Sequence, residues 1–168
     1  MLSKKEFAHI VKHTPLVSID LIIENEEGRI LLGYRNNQPV KGYWFVPGGR
    51  IRKDEPFREA FRRIFRAETG QSIKFEEAEF LGVYEHLYPG DNFAGEEGYG
   101  THYIVIAYRM APGGALNNLP KEQHASYRWA TPAEILNDPD IHLNTKNYFN
   151  GHPAFSSLPE KGADYERK

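Results

Sequence analysis

The sequence predicts an α+β fold, and three observations support that prediction. Residues 16–24 alternate apolar side chains in the manner of a β-strand. Residues 57–68 repeat apolar side chains at helical spacing, between a glycine-rich turn and Gly70. The chain has 168 residues, of which 40% are hydrophobic and 13% aromatic, and this is enough for the core of one domain. We expect that domain to span residues 1–150, with a tail at 151–168.

The remaining elements follow from local signals. A short N-terminal helix is predicted from Ser3 to about Lys12, because Ser3 and Glu6 have the spacing of a capping box. A turn at 25–28 closes the first strand onto a second at 30–35. Further strands are predicted at 44–47, 80–88, 102–110 and 127–130, and Thr131 caps a short helix. Residues 91–100 are rich in glycine and read as a mobile, solvated flap, while the tail lacks periodicity and is expected to be weakly packed or disordered.

The composition excludes several functional classes. There is no cysteine, so disulfides, thiolate metal sites and cysteine catalysis are absent, which fits a reducing cytoplasm. A net charge of −2 and a pI near 6.4 argue against nucleic acid as a general partner, because binding its backbone requires a basic surface. No apolar run has the length of a membrane span, and the first ten residues lack the apolar core of a signal peptide. We therefore expect a cytoplasmic protein.

The helix at 57–68 carries an acid on its apolar face. Glu68 falls within the stripe formed by the apolar side chains, where an ionised carboxylate is rarely left without a partner. Either it lies at a frayed helix end in water, or it meets a cation, an arginine or a ligand. Asp54 or Glu55 is predicted as the N-cap, Pro56 lies in the first turn, and Gly70 ends the helix.

The stretch from Gly48 to Gly70 resembles the signature motif of the Nudix hydrolases. Six positions match that motif, namely Gly49, Glu55, Arg63, Phe65, Glu68 and Gly70. Three positions depart from it, because Ile64 and Ala67 replace motif glutamates and Gln71 replaces an apolar residue. The resemblance implies the Nudix fold, a mixed β-sheet sandwiched between helices, with a magnesium and diphosphate site at the motif. With two of three helix glutamates missing, a single Mg²⁺ per site is the simplest reading.

Within that family the chain resembles the GDP-mannose mannosyl hydrolases. The resemblance covers about the first 150 residues, including PLVSIDLIIEN, GYWFVPGGRIRKDE and LPKEQHASYRW. It implies Mg²⁺-dependent hydrolysis of GDP-mannose or GDP-glucose to GDP and free sugar, by inverting attack of water at the anomeric carbon. The partner would be a small nucleotide sugar, with neither nucleic acid nor membrane involved, and the protein would be a homodimer.

The resemblance also assigns roles to individual residues. The Mg²⁺ ligands would be Glu68, Gln123 and the carbonyl of Gly48, and His124 would be the general base. The other catalytic and substrate-binding positions are Asp20, Arg35, Arg50, His86 and Tyr103. From the N-terminal arm, Leu2 or Phe7 would approach the guanine site of the neighbouring subunit.

The residues alone leave alternatives open at these positions. Asp20 is a mid-strand acid that faces either water or substrate, and Arg35 ends a strand facing either solvent or diphosphate. His86 is either a hydrogen-bonded bystander or a substrate contact, and Tyr103 either packs or donates to phosphate. Residues 122–124 read as a polar surface loop without the resemblance. Two rival functions follow: a Nudix pyrophosphatase that cuts between phosphorus atoms, and a catalytically inactive nucleotide-sensing domain.

Overall fold

The computed structural model describes residues 2–114, 116, 119, 120 and 124–151, and for His124 it describes only the backbone. The predicted tail therefore lies outside the described residues from position 152 onward. In chain order the elements are α1 (Lys4–His13), β1 (Leu16–Ile23), β2 (Ile30–Arg35), β3 (Trp44–Phe45), β4 (Gly48–Arg50), α2 (Phe57–Thr69), a 3₁₀ turn (Phe75–Glu77), β5 (Glu79–Tyr88), β6 (Thr101–Met110), β7 (His124–Ala130), α3 (Pro132–Asn137) and α4 (Leu143–Lys146).

Two sheets form the framework. The larger has the strand order β4-β1-β6-β5, with β1 and β6 parallel and its other pairs antiparallel. The smaller is antiparallel in the order β3-β2-β7. The predicted α+β fold with a mixed sheet is therefore confirmed. Within the described residues, no helix combines the length and the apolar character that crossing a bilayer requires.

Strand β1 is central because both of its faces are covered. Ile19, Leu21 and Ile23 pack with the apolar stripe of α2, while Ile22 joins a second cluster formed with β2, β6 and the α3 region. All four isoleucine and leucine side chains are completely buried. Burying a side chain of this size stabilises the fold by roughly 1.5–3 kcal/mol. The polar residues that interrupt this strand are thus held rigidly by the apolar residues around them.

The local capping signals are confirmed at three helix ends. Ser3 and Glu6 form the predicted capping box of α1, and Thr131 forms another with Glu134 at α3. Gly70 ends α2 in the left-handed conformation, at φ 73°, which glycine adopts without steric cost. These signals involve residues three or four apart, so the sequence alone was sufficient to predict them.

Four local predictions were wrong. The turn at 25–28 does not close β1 onto β2 as a hairpin, because β1 pairs with β4 and β6 while β2 belongs to the other sheet; the two pair only at the bridge between Glu24 and Ile30. The N-cap of α2 is Pro56 without a side-chain cap, whereas Asp54 lies in the left-handed region at φ 60° and Glu55 pairs with Arg63 instead. Gly48 and Gly49 belong to strand β4, because their backbones pair with β1 rather than turning freely. Residue 124 begins strand β7 and is not part of a loop.

Candidate active site

A cavity of ≈ 340 Å³ opens where β1, β4, β5 and the end of β2 meet. Six residues predicted for the site line it, namely Asp20, Arg35, Gly48, Arg50, His86 and Tyr103. Strand register brings them together, because Asp20 is opposite Gly48 and His86 is opposite Tyr103. Their side chains or backbones therefore border one space, although they are spread over 84 positions of sequence.

Gly48 is required by the close approach of Asp20. A Cβ atom at position 48 would lie 2.5 Å from Oδ1 of Asp20 and 2.8 Å from the carbonyl oxygen of Ile19. The carbonyl oxygen of Ile19 belongs to the backbone of the central strand, so it cannot shift without disturbing the sheet. The absence of a side chain at Gly48 is what allows the acid to lie against the backbone of β4.

The environment of Asp20 favours its protonated form more than water does. Burial is the main cause and raises the pKa of Asp20 to about 6, and the negative charge of Glu68 adds to the rise. The hydroxyl of Tyr148 and the charge of Arg35 act in the opposite direction. Tyr148 donates to Oδ2 of Asp20 at 2.7 Å. The proton affinity of the carboxylate is thus set by burial and by three neighbouring groups.

His86 is buried and neutral. Only 4% of the residue is exposed, and burial, with a smaller contribution from His142, lowers the pKa of His86 to about 3. Its Nε2 lies 3.3 Å from the hydroxyl oxygen of Tyr148. A neutral imidazole offers one donor and one acceptor, so its hydrogen bonds decide which nitrogen carries the proton.

Four arginines line the cavity, Arg35, Arg50, Arg52 and Arg63, and the first two were predicted for the site. The guanidinium of Arg35 lies 5.4 Å from the ring centre of Phe45, and its Nε donates to the carbonyl oxygen of Asn37 at 3.1 Å. The guanidinium of Arg50 lies 3.9 Å from the ring centre of Phe7 in the N-terminal helix of the same chain. Arginine fits diphosphate well because its planar fork presents several donors to phosphate oxygens.

The N-terminal arm lies beside the cavity of its own chain. The ring of Phe7 contacts Arg50 and also packs against Phe93, with ring centres 4.7 Å apart. Leu2 is 51% exposed and does not line the cavity. The predicted approach of these residues to a neighbouring subunit stays a prediction.

A salt bridge holds the loop that carries Arg50. Arg63 donates from Nε and Nη2 to the two carboxylate oxygens of Glu55, at 2.5 and 2.8 Å, and from Nη2 to the carbonyl oxygen of Arg50 at 3.0 Å. Arg63 thus connects Glu55 to the last residue of strand β4. The contact lowers the pKa of Glu55 to about 2 and raises the pKa of Arg63.

Glu68 is buried on α2, with 2% of the residue exposed, which places it within the core rather than at a frayed helix end. Its charge reaches Asp20, whose pKa it raises. The carboxylate of Glu68 and the carbonyl of Gly48 are hard oxygen donors of the kind Mg²⁺ prefers. The described residues contain no cluster of three or more His, Asp or Glu side chains suited to a metal ion. The predicted single Mg²⁺ per site stays a prediction.

The loop before β7 is only partly described. Gln123 lies outside the described residues, and so does the side chain of His124. The backbone of His124 pairs with that of Arg35, which places the start of β7 beside a residue that lines the cavity. The predicted roles of both residues stay predictions.

Residues 91–99 are more ordered than the predicted solvated flap. Asn92 is completely buried, and its side chain donates to the carbonyl oxygens of Glu96 and Tyr99 at 2.7 and 2.9 Å. Asp91 accepts from the backbone of Val40 at 2.7 Å, which ties this loop to the one after β2. The glycine content predicted a mobile loop, and the hydrogen bonds that Asn92 makes cannot be predicted from the sequence.

The C-terminal segment contributes two residues to the site that were not predicted from the sequence. Tyr148 contacts both Asp20 and His86, although position 148 carries no recognisable motif. The ring of His142 stacks on Phe45, with centres 4.8 Å apart. The only available signal was the aromatic character of these residues after α3, which is equally typical of simple packing.

Comparison with known proteins identifies the wider group. Residues 14–150 match the NUDIX domain family. The crystal structure of a MutT NUDIX hydrolase from Burkholderia pseudomallei superposes with a TM-score of 0.64, at 25% identity, covering 82% of this chain and 97% of that one.

Two relatives share more sequence over shorter segments. The low-salt glycan biosynthesis protein Agl8 of Haloferax volcanii is 39% identical over 105 residues, which are 62% of this chain and 64% of that protein. The ADP-ribose pyrophosphatase of Methanocaldococcus jannaschii is 41% identical over 70 residues, which are 42% of this chain and 40% of that protein. In both cases the match covers less than two thirds of the relative.

Proposed function

The chain belongs to the Nudix family, and on that premise we propose that it hydrolyses GDP-mannose or GDP-glucose to GDP and the free sugar. The observation that carries the proposal is the set of charged and polar groups at the cavity. Asp20, His86 and Arg35 line the cavity from the strands, and the signature helix carries one buried carboxylate, Glu68, whose charge reaches Asp20. The relative named for glycan biosynthesis is consistent with a sugar-containing substrate.

The replaced glutamates favour chemistry at carbon rather than phosphorus. Nudix hydrolases generally use divalent metal ions, and the motif glutamates are their usual source of ligands. Ile64 is 2% exposed and packs under Gly49, where an added Cβ would lie 3.2 Å from Cγ1 of Ile64. A packed apolar side chain has thus taken the place of one carboxylate, and Ala67 leaves another position without a ligand. One ion suffices to bind a leaving diphosphate, whereas attack at phosphorus profits from further ions beside the nucleophile.

The cavity offers suitable partners for each part of a nucleotide sugar. Arg35 and Arg50 supply positive charge for the diphosphate. Burial raises the pKa of Tyr103, so its hydroxyl stays protonated and is available as a donor. Asp20 and His86 lie on the same wall and offer acceptors for sugar hydroxyl groups.

The proposed reaction is an inverting displacement. A water molecule attacks the anomeric carbon, the bond from that carbon to the diphosphate oxygen breaks, and GDP leaves with the electron pair. His124 takes the proton of the water. Magnesium, for which Glu68, Gln123 and the carbonyl of Gly48 are the proposed ligands, would neutralise charge on the diphosphate. Glycosidases usually pair two carboxylates for such a step, but a diphosphate needs no acid to leave.

Hydrolysis in heavy-oxygen water tests this proposal. Purified protein is incubated with GDP-mannose and Mg²⁺, and the products are analysed by mass spectrometry and proton NMR. We expect GDP without label and free sugar that carries the label with inverted configuration. Label in a phosphate group, or GMP together with sugar 1-phosphate, would instead establish pyrophosphatase chemistry, which the ADP-ribose pyrophosphatase relative makes the nearest rival. Absence of turnover on a panel of nucleotide sugars would favour a sensing domain.

We also propose that the protein is a homodimer in which the N-terminal arm contributes to base recognition. The position of Phe7 beside Arg50 of the same chain supports a role of the arm at the cavity, while the dimer rests on the resemblance to the GDP-mannose mannosyl hydrolases. Phe7→Ala should raise KM for the GDP sugar by about 2- to 10-fold, because one aromatic contact is lost. Light scattering of the purified protein measures the oligomeric state, and mixing Phe7→Ala with an inactive variant tests whether the arm acts across subunits. Recovery of a low KM in the mixture would support the action of the arm of one subunit at the cavity of the other.

A further inference from the structure

Tyr148 links two residues of the cavity from outside the signature region. It follows α4, and only 7% of it is exposed. Its hydroxyl donates to Oδ2 of Asp20 at 2.7 Å and lies 3.3 Å from Nε2 of His86. No other residue is bonded to both of these groups among the described side chains. The contact with Asp20 spans 128 positions of sequence.

The number of hydrogens on each group determines which one donates in the two hydrogen bonds of Tyr148. A phenol has one hydrogen to donate, and its shorter contact is to the carboxylate of Asp20. Burial beside Asp20 raises the pKa of Tyr148, so the phenol keeps that hydrogen. The contact with His86 must then run the other way, with Nε2–H donating to the phenol oxygen. This arrangement leaves Nδ1 of His86 as the acceptor nitrogen.

The packing of Tyr148 holds its ring in one orientation. Tyr84 meets it edge-on with ring centres 4.6 Å apart, and Phe149 meets it from another side at 6.5 Å. The segment before it also reaches the cavity wall, because the ring centre of His142 lies 5.7 Å from that of Tyr88. The segment that carries Tyr148 therefore supports the cavity from behind along several contacts.

We propose that Tyr148 is a positioning residue that orients the carboxylate of Asp20 and holds His86 in its Nε2–H tautomer. This inference deepens the proposed function, since Asp20 and His86 then present fixed acceptors to the hydroxyl groups of the sugar. Tyr148 lies behind both residues and does not line the cavity itself. Its effect must pass through the two side chains that it touches.

A kinetic double-mutant cycle tests the effect on turnover. Tyr148→Phe removes only the hydroxyl and should lower kcat/KM for the GDP sugar by roughly 10- to 100-fold, which is typical for loss of a hydrogen bond to a charged group. Tyr84→Phe removes a hydroxyl from the neighbouring ring and should keep the wild-type value. In the Asp20→Asn background, Tyr148→Phe should change kcat/KM by less than about 3-fold. Fully additive losses would overturn the proposal, because they would show that Tyr148 does not act through Asp20.

A second measurement does not depend on activity. NMR of the folded protein with isotope-labelled histidine, at mildly alkaline pH, reports the tautomer of His86. We expect the Nε2–H form in the wild type. In Asp20→Ala the phenol hydrogen is released from the carboxylate and should turn to Nε2, which shifts His86 to the Nδ1–H form. The same tautomer in both proteins would refute the network, even if Tyr148→Phe failed to fold.

The two tests separate failure of this inference from failure of the proposed function. Wild-type protein that releases no sugar from any nucleotide sugar contradicts the function, while the tautomer measurement still decides whether Tyr148 positions His86. Turnover that is unaffected by Tyr148→Phe contradicts the positioning role and leaves the function intact.

Discussion

Replacement of Glu55 by glutamine should destabilise the protein in a pH-dependent way. Glu55 receives two hydrogen bonds from Arg63 and one from the backbone of Arg52, at 3.0 Å. Hydrogen bonding to Arg63 is the main cause that lowers the pKa of Glu55 from 4.5 to about 2. The glutamine side chain has nearly the same shape but carries no charge, so the substitution removes mainly the ionic part of the contact.

The magnitude follows from that pKa. A depression of this size corresponds to a ceiling of about 3 kcal/mol. The side chain of Glu55 is 14% exposed and that of Arg63 is 31% exposed, so solvent screens part of the interaction. We therefore expect Glu55→Gln to lower the free energy of unfolding by about 1–2 kcal/mol at neutral pH. For a chain of this length, that corresponds to a drop in Tm of about 3–6 °C.

The direction of the pKa shift decides how the stabilisation by Glu55 depends on pH. Because the folded-state pKa is lowered, the stabilisation is fully present above the unfolded value of 4.5 and is lost as pH falls towards about 2. In urea unfolding, the free energy of unfolding should differ between wild type and Glu55→Gln most strongly near neutral pH. The difference should be less than half as large near pH ~3. Glu59→Gln is the control, because Glu59 is an exposed acid in the first turn of α2. A difference that stays constant over this range would refute the reasoning.

Two further predictions concern the site itself. In urea unfolding, Gly48→Ala should lower the free energy of unfolding by about 1–3 kcal/mol, because the new methyl group would collide with Asp20. The control is Gly113→Ala, where the methyl group would lie in open space; its free energy of unfolding should stay within about 0.5 kcal/mol of the wild-type value. Glu68→Gln should preserve the fold and lower turnover or Mg²⁺ affinity by about 10- to 100-fold, whereas Glu59→Gln should leave both unchanged in Mg²⁺ titrations of the hydrolysis rate. Wild-type Mg²⁺ dependence in Glu68→Gln would remove Glu68 from the proposed set of ligands.

The sequence was most informative where short-range contacts decide the structure. The capping box of Ser3 and Glu6 and the left-handed Gly70 depend on neighbours within one helical turn. The apolar stripe of α2 predicted which of its side chains are buried, because the repeat follows from helix geometry. In β1 the alternation was only partly informative, since Val17 is 42% exposed and Ile22 is buried on the opposite face. The signature from Gly49 to Gly70 predicted the family for the same reason, since its residues lie on one loop and one helix.

Candidate site residues were harder to interpret in isolation. Asp20 as a single acid in a strand left water and substrate equally open, and His86 alone left no reason to prefer a ligand over a bystander. The tertiary structure places both on the wall of one cavity, with their pKa values shifted in opposite directions by burial. Burial is a property of the whole fold, so no local pattern could supply it.

The sequence by itself determined the fold class, the family and three of the helix ends, because each depends on residues close together in the chain. Only the tertiary structure decided that Gly48 pairs with β1, that Glu55 binds Arg63 instead of capping the helix, and that Tyr148 reaches Asp20. These contacts depend on how the sheets and helices pack, and packing joins residues whose separation along the chain carries no signal.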